Sequence, residues 1–460
     1  MQQLHGANGF YHARAGRDSR AAREPAPAGA AGSGRPRLTG PQQPLSGLSV
    51  GEAVTIVAND VRRLQAEQVA LRDAIGRVLA TDVVSPLALP PWDNASMDGY
   101  AARADDVRGA SVDMPRTLTV VGTVAAGDAT SRPVAAREAM RIMTGAPIPA
   151  GADSVIRVED TDAGSHTVLV LSDRDALHNV RPRGEDLAPG TVAVTAGTEL
   201  HAAHIALLAS VGHARVDVIR RPRVAILASG DELVDVDDFD AVLAGERIVS
   251  SNSYFLDAAV REAGGDVVSL GIARDDPAEL RRRLAGVDCD LLITTGGVSV
   301  GTFDFTRSVL ADLGIQQRFW RVRMRPGAPI GFGLLHEIPW LGLPGNPVSS
   351  AVTFELFARP AIRKLRGHTD LFRALTRVRV AEAVAITAPL THFLRAVVRL
   401  DGQELVARLT GPQGSGLVSS MARANALLVI DASQSRLASG ERVDALLFGD
   451  ALHVSESPIR

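Results

Sequence analysis

The sequence predicts a multidomain protein of the α/β plus β class, because its hydrophobic periodicity changes several times along the chain. Residues 223–367 alternate buried strand-like runs with amphipathic helical runs, which is typical of a parallel sheet with helices on both faces. Residues 117–194 and 374–454 instead hold short alternating runs between Gly and Pro turns, which is typical of all-β domains. A length of 460 residues suits two to four domains at about 100–200 residues each.

Charge and cysteine content exclude several classes of protein. The chain has 49 Lys+Arg and 52 Asp+Glu, a net charge of −3, which gives no electrostatic reason to expect a nucleic-acid or membrane partner. No apolar run approaches the roughly 18 to 20 residues of a membrane span. The single cysteine, Cys289, excludes an intramolecular disulfide and multi-cysteine metal sites, and it sits beside a buried strand as a core residue would. We expect a cytoplasmic protein.

Residues 1–47 are expected to be a disordered tail. Between Ala13 and Arg37 the chain has almost no branched apolar residues, so burial cannot offset the entropy of ordering it. The arginines from Arg14 to Arg23 leave a transit peptide as the alternative, although Asp18 and the scarcity of Ser speak against it.

Two helical stretches flank the first β-rich region. Apolar residues at three- and four-residue spacings predict a helical pattern over 49–79, and Ser49 with Glu52 predicts a capping box at its start. Prolines then end the pattern at Pro86, and a second helix is predicted over 202–211.

The α/β region is predicted element by element from its alternation. We predict strands over 224–228, 267–272, 291–295, 320–325 and 340–343, and helices over 253–263, 277–284, 305–313 and 348–365.

Acidic and glycine-rich loops follow the predicted strands. Glu232 lies in ASGDEL, Asp275 in ARDDP and Asp304 in GGVSVGTFDF, and PGNPVS follows the last of these strands. The carboxyl ends of parallel strands meet at one edge of a sheet, so we expect these acids to converge beside glycine turns and helix N-termini. Hard oxygen ligands next to backbone donors are what Mg²⁺ and a phosphorylated ligand require.

Helix capping is the competing interpretation for some of these polar residues. Asp276 before Pro277 fits an N-cap better than a metal ligand, which leaves Asp275 free to reach a metal. For Asp304, a cap of the following helix stays open as an alternative. Asn346 before Pro347 fits a helix cap. A helix N-terminus also binds anions, so capping and anion binding are compatible interpretations of this residue.

A basic run, WRVRMRPGAP, lies next to these acidic loops. The two-residue period of a strand predicts that Arg321, Arg323 and Arg325 share one face. A row of donors for phosphate or another oxyanion is one interpretation, and a solvated edge strand is the other.

Three polar loops lie outside the α/β region. They are DNASMDGYA with Asp98, RIMTGAPIP with Thr144 and RPRGED with Arg183 and Asp186. Dense polar groups between Pro and Gly predict a rigid binding surface, although turn formation alone is an alternative.

These loops occur in an order that closely resembles the molybdopterin molybdenumtransferases, the MoeA proteins related to the E domain of gephyrin. DNASMDGYA, RIMTGAPIP, RPRGED, ASGDEL, Ser251–Asn252, ARDDP, GGVSVG with Asp304 and GLPGNPVS carry the resemblance, which runs from about Leu48 to the C-terminus. The family implies a helical linker domain (48–85 and 190–220), an inserted β-rich domain (86–189), an α/β molybdopterin-binding domain (221–372) and a C-terminal β-barrel (373–460).

The resemblance also implies an activity and its partners. The family reaction takes adenylated molybdopterin and molybdate, releases AMP and leaves molybdenum on the dithiolene, with Mg²⁺ as the usual cation. It implies a homodimer whose active site crosses the interface, and a molybdopterin adenylyltransferase that donates the substrate. The residues it assigns to catalysis are Asp98, Asp186, Glu232, Asp275 and Asp304, with Glu232, Asp275 and Asp304 on the metal. Those it assigns to substrate are Thr144, Arg183, Ser251, Asn252, Gly296, Gly297, Ser299, Arg321, Arg325, Pro344, Gly345, Asn346, Pro347, Arg395 and Ser415.

One position departs from the family pattern. Many members have PGKP here, whereas Pro326–Gly327 is followed by Ala328, and arginines stand at Arg321 and Arg325 where lysine is frequent. One donor for the oxyanion is therefore missing, and Arg323, or Arg395 with Ser415 or Ser420, is expected to compensate. The preference between molybdate and tungstate stays open.

Overall fold

The computed structural model describes residues 44–128, 132–296, 303–386 and 389–448, with the backbone alone for residues 303–307. The first elements are β1 (Leu45–Leu48), α1 (Val50–Asp60), β2 (Ala66–Ala70) and β3 (Val83–Val84), with a 3₁₀ turn at Leu71–Asp73. β1 begins inside the segment predicted to be a tail, so that boundary is wrong by three residues.

The first helix is shorter than predicted. The capping box is confirmed, since the Ser49 backbone N–H and hydroxyl donate to Glu52 Oε2, each at 2.8 Å. The helix ends at Asp60, and the helical pattern predicted to continue to residue 79 is wrong. Residues 66–70 instead form a strand, because a later part of the chain offers them antiparallel backbone partners.

The inserted region is β-rich, as predicted. Its elements are β4 (Asn94–Ala95), β5 (Gly99–Ala102), α2 (Ala104–Val107), β6 (Arg116–Val124), β7 (Glu138–Ile142), β8 (Ser154–Arg157), β9 (Thr167–Val170) and β10 (Val180–Arg181), with a 3₁₀ turn at Val158–Asp160. The sheet order is β8-β5-β7-β6-β9, and β4 pairs with β10 beside it. The β4–β10 pair brings the DNASMDGYA and RPRGED loops together.

Three elements return the chain to its first segment. They are β11 (Val192–Val194), α3 (Ala202–Ser210) and β12 (Arg215–Ile219). β11 pairs with β3, and β12 pairs with β2 over five residues. Leu71 and Leu79 share one buried cluster with Leu208 and Val218, so two distant chain segments build this module around a common core.

The α/β region follows. Its elements are β13 (Arg223–Ser229), β14 (Leu233–Val234), α4 (Phe239–Leu243), β15 (Ile248–Val249), α5 (Ser251–Glu262), β16 (Asp266–Ala273), α6 (Pro277–Leu284), β17 (Leu291–Thr295), α7 (Phe303–Asp312), β18 (Ile315–Val322), β19 (Met324–Arg325), β20 (Gly331–Leu335), β21 (Ile338–Leu343), α8 (Pro347–Thr353) and α9 (Arg359–Leu365). A 3₁₀ turn lies at Val236–Asp238, and a π-helical turn at Phe354–Ala358 joins α8 to α9.

The main sheet is mixed and not purely parallel as predicted. Its order is β1-β18-β20-β21-β17-β13-β16, and β20 runs antiparallel to both of its neighbours. The prediction missed β20 because Gly331 and Gly333 weaken its strand signal. β16, β13, β17 and β21 remain parallel, so their carboxyl ends still share one edge.

Helices cover both faces of this sheet. Alternate strand residues such as Val224 and Ile226 pack with α1, α5, α8 and α9. The intervening residues, such as Ala225 and Leu227, pack with α6 and α7 on the other face. This two-sided burial explains the near-continuous apolar runs of β13 and β17.

The C-terminal region is a closed five-stranded β-barrel, as predicted. Its elements are β22 (Leu375–Val380), β23 (Val384–Ala385), β24 (Thr391–Asp401), β25 (Glu404–Leu409), α10 (Val418–Arg423), β26 (Ala426–Ile430), β27 (Arg436–Leu437) and β28 (Arg442–Leu447). The order β24-β25-β22-β28-β26 closes because β26 also pairs with β24. Among the described residues, no helix has the length and apolar composition that a membrane crossing requires.

Candidate active site

A cleft of about 540 Å³ lies at the carboxyl edge of the parallel strands. It occupies the position that the strand order predicts for a ligand site in an open α/β sheet. The predicted site residues that line it are Glu232, Ser251, Asn252, Asp275, Gly296, Arg321, Pro344, Gly345, Asn346 and Pro347.

Acidic side chains gather at one end of the cleft. The Asp275 backbone N–H donates to Asp231 Oδ1 at 3.3 Å, which joins the ASGDEL and ARDDP loops. The Glu232 carboxylate lies against Gly230, where a Cβ atom would come within 2.6 Å of Oε2. Burial, followed by the Asp231 and Glu232 carboxylates, raises the pKa of Asp275. Like charges held together in this way favour a bound cation or proton.

The neighbouring aspartate has a different task. Asp276 accepts from the backbone N–H groups of Ala278 at 3.1 Å and Glu279 at 3.2 Å. The predicted cap at the start of α6 is therefore confirmed, and Asp275 is left facing the cleft.

Three predicted residues fall outside what the structure describes. Gly297 and Ser299 lie outside the described residues, and so does the side chain of Asp304 within α7. In the part of the chain that is described, no three His, Cys, Asp or Glu side chains form a metal-binding group. The metal role of Asp304 stays a prediction.

Two glycine turns form the floor of the cleft. Gly296 has φ +90°, and a Cβ there would lie 2.1 Å from the Ser229 carbonyl oxygen, so only glycine fits between these strand ends. A Cβ on Gly345 would lie 3.5 Å from Gly296 Cα, which shows how closely the two turns pack. Asn346 is the N-cap residue of α8, as predicted, but its side chain makes no capping hydrogen bond.

Only the first arginine of the basic run lines the cleft. Arg321 is exposed, and it adopts φ +65°, a conformation that non-glycine residues rarely take. β18 ends at Val322, and β19 joins the C-terminal barrel instead, so the predicted continuous strand is wrong. Arg323 acts electrostatically on Glu52 at the start of α1, and Arg325 does not line the cleft.

Arg395 is placed where a ligand does not reach it. Its side chain is fully buried. Its guanidinium donates to Ser420 Oγ at 2.7 Å and to the carbonyl oxygens of Gln413, Pro412 and Gly414 at 3.0–3.1 Å. It therefore holds the 412–414 loop, in contrast to the predicted direct contact with substrate.

The residue that follows this loop contacts a helix that lines the cleft. The Ser415 carbonyl oxygen accepts from the backbone N–H of Val348 at 3.0 Å, in the first turn of α8. Ser415 does not itself line the cleft. Its position supports the helix whose first residue, Pro347, does.

Comparison with known proteins identifies the family. Family models match in the expected order: the MoeA N-terminal region (domain I and II) at residues 48–212, the probable molybdopterin binding domain at 225–364 and the MoeA C-terminal region (domain IV) at 377–448. A molybdopterin molybdenumtransferase from Nostoc sp. is 36% identical over 419 residues, which cover 89% of this chain and 95% of the relative. The chain belongs to the molybdopterin molybdenumtransferase family.

Other members and a solved structure agree. Molybdopterin molybdenumtransferase 2 from Mycobacterium tuberculosis is 38% identical, covering 86% of this chain and 98% of the relative. The crystal structure of the molybdopterin biosynthesis MoeA protein from Pyrococcus horikoshii superimposes with a TM-score of 0.76 at 28% identity, covering 88% of this chain and all of that one. The multidomain architecture is thus shared with solved family members.

The inserted domain of this molybdenumtransferase family member carries its own polar cluster. Thr144 donates to Asp98 Oδ1 through its backbone N–H and its hydroxyl, each at 2.7 Å, and these bonds lower the pKa of Asp98. The Arg183 backbone N–H donates to Asp93 Oδ1 at 2.6 Å. Asp186, three residues after Arg183, is exposed. None of these residues lines the cleft of the same chain.

Sequence reasoning missed some of the cleft wall. Ser229 and Ser349 lie inside motifs already recognised. Their positions at the end of β13 and in the first turn of α8 could have revealed them. Leu233 and Ile248 also line the cleft. They do so because β14 pairs with β15 beside the main sheet, and no local pattern signals that pairing.

Proposed function

We propose that this chain, whose relatives are named molybdopterin molybdenumtransferases, inserts molybdenum into adenylated molybdopterin and releases AMP. The observation that carries the proposal is the cleft itself, which is lined by Glu232 and Asp275 together with glycine turns and Arg321. Acidic groups, backbone donors and a guanidinium in one cleft match a substrate that has a pyrophosphate and reacts with an oxyanion.

The carboxylates of the cleft are suitable ligands for Mg²⁺, and the electrostatics of Asp275 support this assignment. The Asp275 carboxyl has its pKa raised by burial and by neighbouring carboxylates, which a divalent cation would relieve. Glu232 and Asp275 would hold the ion, with Asp304 as a further candidate. When bound, Mg²⁺ supplies charge neutralisation at the pyrophosphate.

The chain's own residues supply binding and positioning. The turns at Gly296 and Gly345 bring backbone close to the phosphates, and α5 and α8 turn their N-termini toward the cleft through Ser251 and Pro347. Arg321 donates to phosphate or molybdate, a tetrahedral dianion. The protein needs no covalent nucleophile, because fixed geometry and electrostatic stabilisation of the leaving phosphate lower the barrier.

The experiment that tests the activity is direct. Purified protein given adenylated molybdopterin, molybdate and Mg²⁺ should release AMP and yield cofactor that reconstitutes a molybdenum enzyme. A folded protein that releases no AMP and yields no active cofactor contradicts the proposal. Release of AMP from simple dinucleotides without pterin would indicate a general hydrolase instead.

Ala328 favours one second candidate, a pterin-binding scaffold that inserts metal poorly. Ala328 immediately precedes Pro329, which lines the cleft, so a lysine at position 328 would add a positive charge near the cleft. If the site is degenerate, Ala328→Lys should raise insertion at low molybdate by about tenfold, the gain expected of one charge-assisted contact. Insertion that is already efficient and changes little in the variant favours the transferase, with Arg321 supplying the charge.

We further propose a cytoplasmic homodimer that receives its substrate from a molybdopterin adenylyltransferase. Asp98 and Thr144 do not line the cleft of their own chain. This supports a dimer in which they complete the cleft of the second copy. Mixed dimers test this, because Asp275→Asn and Asp98→Ala chains, each impaired alone, should regain activity when co-assembled. Mixed dimers with no more activity than either parent contradict it.

A further inference from the structure

Asn252 connects two strand ends beneath the cleft. It lies in the first turn of α5 and is only 8% exposed. Its Nδ2 donates to Thr295 Oγ1 at 3.0 Å and to the Gly345 carbonyl oxygen at 2.7 Å. One amide group therefore joins the end of β17 to the turn that follows β21.

The chemistry of the partners fixes the orientation of this amide. The Gly345 carbonyl only accepts, so the amide nitrogen must face it. The Thr295 hydroxyl donates its proton to the Pro344 carbonyl at 3.3 Å, which leaves its lone pairs to accept from Asn252. Each donor and acceptor in this network is therefore fixed, and exchanging the amide oxygen and nitrogen of Asn252 would break the bond to Gly345.

The amide oxygen is left without a partner. Asn252 Oδ1 is buried and makes no hydrogen bond within the described chain. An orphaned buried acceptor costs stability, so packing alone does not explain an asparagine at this position. Asn252 lines the cleft, but its Oδ1 atom is itself buried, so a ligand does not reach this atom while the turns keep this arrangement.

The positions of the two joined turns supply the explanation. Gly296 directly follows Thr295, and Gly345 directly follows Pro344, and both glycines line the cleft. A Cβ on Gly345 would lie 3.5 Å from Gly296 Cα, an ordinary van der Waals contact, so the two turns are direct neighbours. In the proposed function these backbones bind the phosphates, so their spacing sets where a phosphate can lie.

We propose that Asn252 is a positioning residue that locks the Gly296 and Gly345 turns at the spacing the substrate's phosphates require. This revises its predicted role as a group that binds substrate directly. This inference rests on the proposed function, which identifies the ligand as adenylated molybdopterin. AMP, the adenylate part of that ligand, serves as the probe in the test.

The test compares wild type with Asn252→Leu, Thr295→Val and Thr295→Ser, using calorimetric titration with AMP and hydrogen exchange. Leucine removes both hydrogen bonds of the amide, and valine removes the two made by the Thr295 hydroxyl. Each change breaks the link between the two turns, so AMP affinity should fall about tenfold, which is about 1.4 kcal/mol. Exchange should quicken together in both segments, 294–296 and 343–346. Serine keeps the hydroxyl and should restore most of the affinity and of the protection.

Melting temperature separates positioning from a purely structural role. Leucine also removes the orphaned oxygen, so Asn252→Leu should melt within a few degrees of wild type while its AMP affinity falls. Should Asn252→Leu misfold, the Thr295 pair decides the matter.

Two outcomes overturn the proposal. One is wild-type AMP affinity in Asn252→Leu and Thr295→Val, and the other is faster exchange in one segment only. A wild-type chain that releases no AMP from adenylated molybdopterin overturns the proposed function instead. In that case the hydrogen-exchange data alone test whether Asn252 couples the 294–296 and 343–346 segments.

Discussion

The cleft of the α/β domain and the polar loops of the inserted domain contrast in how their charges are satisfied. In the inserted domain, Asp98 accepts two hydrogen bonds from Thr144, and its pKa is lowered. In the cleft, burial and two neighbouring carboxylates raise the pKa of Asp275. One region stabilises its negative charge internally, whereas the other holds negative charge that its own chain does not neutralise.

This difference separates a completed surface from a site that awaits a ligand. Hydrogen bonds made within the loops of the inserted domain fix their shape in a single chain. Carboxylates that repel one another lower stability unless something positive binds between them. The predictions below test this contrast from its largest expected effect to its smallest.

The largest effect should come from the cleft carboxylates. Glu232→Gln removes a charge and keeps the shape of the side chain, so AMP release in a coupled assay should fall about 100-fold or more. Asp276→Asn is the matched control, because asparagine also caps helices and Asp276 does not line the cleft. Equal turnover in both variants would remove Glu232 from the reaction.

The cleft arginine should come next. Arg321→Ala should raise the KM for molybdate or for the adenylated substrate about tenfold, because a guanidinium–oxyanion contact is lost. Arg323→Ala removes a neighbouring charge that faces Glu52, and it serves as the control. Equal losses in the two variants would show that net charge matters and not the position of Arg321.

A smaller effect is expected on stability. The pKa of Asp275 is raised in the folded chain, so its protonation stabilises the fold at low pH, and this contribution is lost as pH rises through the raised pKa. Asp275→Asn should therefore raise the melting temperature at pH 7 without Mg²⁺ by about 2 °C. The gap from wild type should narrow as pH falls. A variant that melts lower than wild type at pH 7 contradicts the electrostatic account.

The smallest effect concerns the inserted domain. Thr144→Val removes the hydroxyl donor to Asp98 and leaves the backbone donor, so turnover should fall only about threefold, measured as AMP release. Thr119→Val, at an exposed position of β6 in the same domain, is the control. A loss as large as that of Glu232→Gln would place Thr144 directly in the chemistry.

The sequence predicted the α/β domain more accurately than the linker. The bounds of α6 and β17 match the prediction to the residue, because turn and capping signals enclose a strong period. Residues 66–70 were wrongly predicted to be helical, because their strand exists only through pairing with β12, a partner about 150 residues away. Local patterns do not record such pairings.

The site was predicted where motifs followed strands and was missed where long-range packing decides. Glu232 and Asp275 came together because parallel strands share an edge, which is a rule of topology. Arg395 was wrongly given a ligand contact, because its burial and its carbonyl partners depend on how the barrel closes. Arg325 was grouped with Arg321 because the alternating pattern continues through both residues. The chain changes sheets after Val322, and the pattern does not show this change.

Magnesium binding measured by calorimetry tests the central claim most directly, with wild type and Asp275→Asn titrated in the presence of AMP. The cleft carboxylates should bind one ion per chain in wild type, and the variant should bind at least about tenfold more weakly, because it lacks one anionic oxygen ligand. Equal affinity in the two proteins would contradict the account, since the acidic end of the cleft would then not be the cation site.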